Sequence, residues 1–201
     1  MIKKFFFVSI IFFLFNQAVL NAVTYNSEPK IFVEELVQDA IKTLSDKSIP
    51  EEEKNLIIEK IAKENVDINA LGLYTLGSIR KTLDPIIISK YQELFEKYFL
   101  KTLTSRLNDY SSQKFEVIGS EQKSSNYTIV NSKIAESVKS PEIKIDWRIY
   151  TKNPQKPLIR DLIVEGLSLA RTQKEEFASI LNSNNNDINI LLERLIEFTK
   201  N

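Results

Sequence analysis

Ile143-Lys144-Ile145-Asp146-Trp147-Arg148-Ile149 and, a few residues on, Leu158-Ile159-Arg160-Asp161-Leu162-Ile163-Val164 decide the fold. The first segment alternates apolar and charged side chains with the period of two that turns one face of a strand into a core and the other into water. The second is apolar on both faces apart from Arg160 and Asp161 and reads as a further strand. Two more segments with the same period lie upstream, around Phe115 and Val117 and around Tyr127 and Ile129. Clusters of Ser, Asn and Pro separate the four, and connections this short favour an antiparallel meander.

On either side of the strands the apolar spacing changes to three and four residues, the period of a helix. Val33, Leu36, Val37, Ala40, Ile41 and Leu44 mark a first amphipathic helix. Ser48 and Glu51 have the spacing of a capping box, with Pro50 tolerated at the start, opening a second helix along Ile57, Ile58 and Ile61. Asp67 can cap a third through Leu71, Tyr74 and Leu76. Asp84 before Pro85 starts a long fourth, whose wide apolar face carries Tyr91, Leu94, Phe95, Tyr98, Phe99 and Leu103. After the strands, Thr172 and Glu175 suggest a capping box for a helix through Phe177, Ile180 and Leu181, and Asp187 begins a last one with Leu191, Leu192, Leu195 and Ile196. Helices and strands segregated in this way predict an α+β domain: a curved four-stranded antiparallel sheet covered on one face by about six helices. No repeat and no interdomain linker interrupts residues 23–201, which read as one domain; Asn184 to Asn186 is a loop.

The first residues carry an address. Lys3 and Lys4 precede an apolar run from Phe5 to Phe15, and small residues follow at Ala18 and Ala22. This is the pattern of a secretory signal peptide, residues 1–22, cleaved after Ala22. A membrane anchor needs about 20 consecutive apolar residues, and Asn16, Gln17 and Asn21 interrupt this run. The expected mature protein is therefore exported and soluble, without a lipid-bearing Cys.

Composition removes most chemistry. The 201 residues include 27 basic and 27 acidic side chains, no Cys and no His. Zero net charge offers no global field for nucleic acid. Without imidazole or thiol there are no disulfides, no thiol nucleophile, no His-based triad, and no zinc site of the usual kind. Four glycines, Gly72, Gly77, Gly119 and Gly166, fall in no phosphate-cradling spacing. Asp146, Asp161 and Glu165 are the remaining candidates for acid and base work, and they read better as solvent-facing strand residues or turn-stabilising acceptors than as a convergent pair. The aromatic residues, clustered on the fourth helix, fit either a packed core or the wall of an apolar cavity.

One stretch is more specific. Asp161-Leu162-Ile163-Val164-Glu165-Gly166-Leu167-Ser168-Leu169, followed by Phe177 and then Ala178-Ser179-Ile180-Leu181, resembles the signature of the MlaC family of periplasmic phospholipid-binding shuttles. Leu76-Gly77 with Lys81, Thr82 and Pro85, leading into Tyr91, Phe95 and Tyr98, is similar to that family's Leu-Gly segment and the aromatic helix after it. Ile143 to Ile149 resembles its alternating strand. The chain departs from the pattern at Arg80 and at Pro157, where the family usually has aromatic residues.

The resemblance implies a nuclear-transport-factor-like cone of helices around the sheet, enclosing an apolar pocket for phospholipid acyl chains with the headgroup at its mouth. The candidate lining residues are Leu76, Tyr91, Phe95, Phe99, Ile143, Ile145, Trp147, Ile149, Ile163 and Leu167. It also implies a non-enzymatic, monomeric carrier in the Mla lipid-asymmetry pathway, with phospholipid as cargo and no cofactor. The implied partners are an inner-membrane ABC-type transport complex and an outer-membrane lipoprotein complex. The alternative is a periplasmic protein-interaction module of the same fold with a filled core. Gly166 fits a strand-to-helix turn where a side chain would obstruct.

Overall fold

A computed structural model describes residues 24–107, 114–136 and 141–200. The predicted signal segment lies outside the described residues. Glu28 opens helix α1, Pro29–Ser45, by accepting from the amides of Lys30 and Ile31, with Pro29 in the first turn where its missing N–H costs nothing. Helix α2 is Glu51–Asn65, α3 is Ile68–Thr75, a 3-10 turn covers Gly77–Lys81, and α4 runs Pro85–Leu107. Asp67 caps α3 by accepting from the Ala70 amide, and Asp84 accepts from the Ile86 amide at the start of α4.

The predicted capping box at Ser48 does not form. Its hydroxyl donates instead to Asp46 Oδ1 at 2.6 Å, and α2 starts after Pro50 without a side-chain cap. Glu51, Glu52 and Glu53 occupy the first turn, where the positive end of the helix dipole favours them.

The sheet is an antiparallel meander in the order β1-β2-β3-β4-β5. Strands β1 (Phe115–Ser124), β2 (Tyr127–Ile134), β3 (Ile143–Tyr150) and β4 (Leu158–Val164) are the four expected from alternation. A fifth, β5, has only Leu167–Ser168, paired with Val164 and Ile163 across a tight turn, so the sheet has five strands and not four. Two residues are too short for a periodicity to show. Trp147 sits centrally, opposite Val130 on β2 and Leu162 on β4.

Helices α5 (Leu169–Asn182) and α6 (Ile188–Lys200) complete the chain. The N-cap of α5 is Ser168, which accepts from the Arg171 amide; Thr172, expected to be the cap, lies in the first turn and donates to the Ser168 carbonyl. The helix begins earlier than expected because Asp161 fixes both Ser168 and Ala170.

Buried side chains fall into two clusters. In the first, Phe32, Val33 and Leu36 of α1 pack on the inner sheet face formed by Val130, Trp147, Ile149 and Ile159. In the second, Tyr91, Phe95 and Leu100 of α4 pack with Ile68, Phe177, Leu181, Leu191, Leu192 and Leu195 of the other helices. Val66, between α2 and α3, packs against both. It also forms a single parallel bridge to Ile159 on β4.

Candidate functional site

The residues singled out from the sequence separate between the clusters. Leu76, Tyr91 and Phe95 are buried in the helical one, with Phe99 half-buried against it. Trp147 and Ile149 are buried in the sheet cluster, with Ile145 half-buried beside them. Ile143 is half-buried at the start of β3, opposite Ile134. Ile163 lies on the other side of the sheet, and Leu167 is 69% exposed in the β4–β5 hairpin.

The helical cluster is built around an aromatic chain. Tyr91 stacks on Phe95 at 5.8 Å between centroids, and Phe95 on Phe99 at 6.4 Å. Phe177 of α5 meets Tyr91 and Phe95 edge-on. Gly72 lets α3 approach, since a Cβ there would lie 3.0 Å from the Phe95 ring. Tyr91 is fully buried, and its hydroxyl shares a hydrogen bond of 2.9 Å with Thr75. Burial raises the Tyr91 pKa far above the ordinary phenol value, so this hydroxyl stays neutral in water of any ordinary pH.

In the sheet cluster the one polar atom of Trp147 is satisfied. Its Nε1 donates to Ser132 Oγ at 2.8 Å, and that hydroxyl donates to the Ile145 carbonyl at 2.9 Å. A buried indole with its N–H paired contributes area without an unmet donor.

The Asp161 to Ser168 motif is a structural joint. Asp161, 4% exposed, accepts from Ser168 Oγ at 2.6 Å and from the Ala170 amide at 3.0 Å, and Arg148 lies 3.6 Å away. One carboxylate therefore ties β4 to the first turn of α5. Glu165 and Gly166 make the turn between, with φ of 50° and 81°. A Cβ on Gly166 would meet nothing within 4 Å, so glycine is required there by the left-handed backbone and not by obstruction.

The outer sheet face carries a groove of about 420 Å³ lined by polar and charged groups, among them Glu121, Lys123, Asn131, Asp146 and Arg148, with Ile129 and Ile163. Asp146 accepts from Asn131 Nδ2 at 2.8 Å. Among the described residues, no group of three or more carboxylates is placed to hold a metal ion. No described helix is long and apolar enough to cross a membrane.

The described residues thus form an α+β shell around two apolar clusters. The family model described as MlaC protein matches residues 34–197, and the chain belongs to that family. No match is found among curated proteins. Among solved structures, the chain is similar to the phospholipid-binding protein from Ralstonia solanacearum in complex with a phospholipid. The two are 17% identical with a TM-score of 0.70, over 87% of this chain and 97% of the other. At that identity the likeness shows the fold.

Alternation and helical spacing identified the buried sides of α4 and β3, though not the outward placement of Ile163 and Leu167, and missed what covers those sides from elsewhere. Phe32, Val33 and Leu36 cover the sheet, and their regular spacing on α1 was the available signal. The role of Asp67 beyond its cap, and that of Arg160, had no such signal.

Proposed function

We propose that the protein is a phospholipid carrier whose acyl chains are held in the apolar interior while the headgroup stays at the rim. The observation that carries this reading is a fold shared with a phospholipid-bound protein over nearly all of that protein's length, together with membership of the MlaC family. Physical need agrees. A two-chain lipid in water exposes about thirty methylene groups at about 0.8 kcal/mol each, of order 25 kcal/mol, so a carrier must hide them. The walls for this are the half-buried apolar side chains bordering the two clusters: Leu94, Phe99 and Leu103 of α4, and Phe115, Val117 and Ile145 of the sheet. Carriage needs no reactive constellation.

The finer reading is shuttling across the periplasm in the Mla lipid-asymmetry pathway. Its partners are an inner-membrane ABC-type complex and an outer-membrane lipoprotein complex, and the carrier works as a monomer without enzymatic activity or cofactor. Expressed from its own leader in a Gram-negative host, the protein is expected in the periplasmic fraction with its N-terminus at or near Val23. Recovery of the full-length chain with the membranes, by N-terminal sequencing, would refute the leader.

Solvent extraction of the purified protein followed by mass spectrometry tests the main reading. Stoichiometric phospholipid is the expected result. A protein-interaction module with a filled core is the second reading, favoured by the dense packing of Tyr91, Phe95 and Phe177, and absence of lipid would favour it over the first.

Headgroup selectivity should be weak. Arg148 is paired with Asp161, and Lys81 lies exposed on the 3-10 turn, so neither is free and sheltered enough to clamp a phosphate. Affinity drawn from apolar area is not screened by salt, whereas an ion pair weakens as the Debye length shortens from about 10 Å at 0.1 M to about 3 Å at 1 M. Competition between zwitterionic and anionic phospholipids with matched tails should differ by less than about tenfold, or about 1.4 kcal/mol, at either salt. A larger anionic preference that collapses in high salt would reveal a cationic headgroup site instead.

A further inference from the structure

Arg160 is the extra residue of a bulge in β4. Arg148 pairs with Asp161 and Ile149 with Ile159, so Arg160 has no partner on β3, and its side chain is free to leave the ladder. It reaches three groups. Nε and Nη2 donate to Asp67 Oδ2 at 2.8 and 2.7 Å, and Nη1 donates to the Tyr127 hydroxyl at 2.8 Å. The guanidinium lies 3.4 Å from the centre of the Tyr150 ring. Arg160 and Asp67 side chains are 26% and 18% exposed, so the pair sits at a rim, partly out of water.

Asp67 stands at the junction of α2 and α3. Its other oxygen caps α3 through the Ala70 amide, and its own amide donates to the Ile159 carbonyl at 2.9 Å. The residue before it is Val66, which packs against both clusters. The Arg160 fork therefore fastens the helical cluster to the sheet beside the place where the two cores adjoin.

We propose that the Arg160–Asp67 pair is a latch across the seam between the two apolar clusters, and that its release sets the rate at which a lipid tail passes between them. This rests on the carrier reading above. The physics favours the seam over either core. Separating two clusters along their boundary breaks fewer apolar contacts than breaching a packed core. A rim ion pair that opens into water regains hydration for both charges, so it can break and re-form, which a fully buried pair cannot do cheaply. The Tyr150 ring and the Tyr127 hydroxyl preorganise the guanidinium for re-closing.

The test uses the purified protein and vesicles of phosphatidylethanolamine and phosphatidylglycerol carrying pyrene-labelled phosphatidylglycerol. Transfer is followed in both directions by stopped-flow fluorescence. Asp67→Asn keeps a capping side chain but removes the charge, and Arg160→Gln removes the fork. Each is expected to speed both uptake and release by about threefold to tenfold, leaving the equilibrium affinity changed by less than the rates. The double variant should be no faster than the singles, because they break the same latch. Lys133→Gln, which removes the exposed pair with Glu142 elsewhere on the sheet, should leave the rates as they are. Amide hydrogen exchange supplies a readout that needs no lipid. In Arg160→Gln the Asp67 amide should exchange about tenfold faster while those of Val130 and Trp147 do not change. Lipid bound at wild-type rates by both variants, or protection lost uniformly across the sheet, would overturn the latch and leave the carrier reading standing. Absence of lipid from the wild-type protein would overturn both.

Discussion

Replacing Asp161 by Ala is expected to lower the unfolding free energy by about 3 kcal/mol, because the removed carboxylate leaves one buried donor, the Ala170 amide, and one half-buried donor, the Ser168 hydroxyl, without their acceptor. Ser168 Oγ and the Ala170 amide both point at it, and Arg148 loses its counter-charge. Ser168→Ala tests the other half of the joint. It removes the N-cap of α5, worth about 1 kcal/mol, and one of the bonds to Asp161. The two changes share a hydrogen bond, so the double variant should be less destabilised than the sum of the singles. Arg148 is 45% exposed at its side chain, so Arg148→Gln should cost less than about 1 kcal/mol. Urea unfolding of the four variants provides the comparison. An Asp161→Ala midpoint equal to wild type would mean that water replaces the carboxylate and that the joint is not closed.

What the sequence disclosed and withheld follows from the range of the interactions involved. β3 and β4 were legible because alternation is a local property of the chain, and their pairing follows from the short connection. Asp67, Asp84 and Asp187 were legible as helix starts because a cap acts on its own first turn, a local property of the sequence, and each accepts an amide as expected. Ser48 and Thr172 misled because another carboxylate had already been recruited. Asp46 takes the Ser48 hydroxyl, and Asp161 draws Ser168 into the cap, which starts α5 ahead of Thr172. Periodicity also says which side of an element faces inward but not which interior it faces. Phe95 and Trp147 both read as inward, yet they belong to different clusters. The single-residue bulge at Arg160 leaves no trace in composition, and a residue that reads as an interruption of an apolar strand turns out to bind Asp67 from 93 positions away.

The separation of the clusters gives the second large effect. Phe99 and Ile145 are half-buried at the borders of their clusters, whereas Tyr91 has no exposed surface. A charge placed where a side chain can still reach the rim costs less in folding than one sealed in a core, but it stands where hydrocarbon would otherwise lie. Phe99→Lys and Ile145→Glu are therefore expected to fold with a modest loss of stability and to retain less than about one tenth of the wild-type phospholipid, equivalent to about 1.4 kcal/mol or more of binding. Tyr91→Lys should not fold, since its ammonium would lie among Phe95, Phe177 and other apolar groups, with the neutral Thr75 hydroxyl and no carboxylate hydrogen-bonded to the phenol it replaces. Leu56→Lys, on an exposed position of α2, should change neither property. Lipid per folded molecule, from solvent extraction and mass spectrometry alongside circular dichroism, distinguishes the cases. Two border variants that carry wild-type lipid would place the hydrocarbon away from both cluster edges. A Tyr91→Lys protein that folds but arrives empty would instead put the acyl chains within the aromatic chain of α4 itself, because only a group already exposed to cargo space can accept an ammonium without collapse of the cluster.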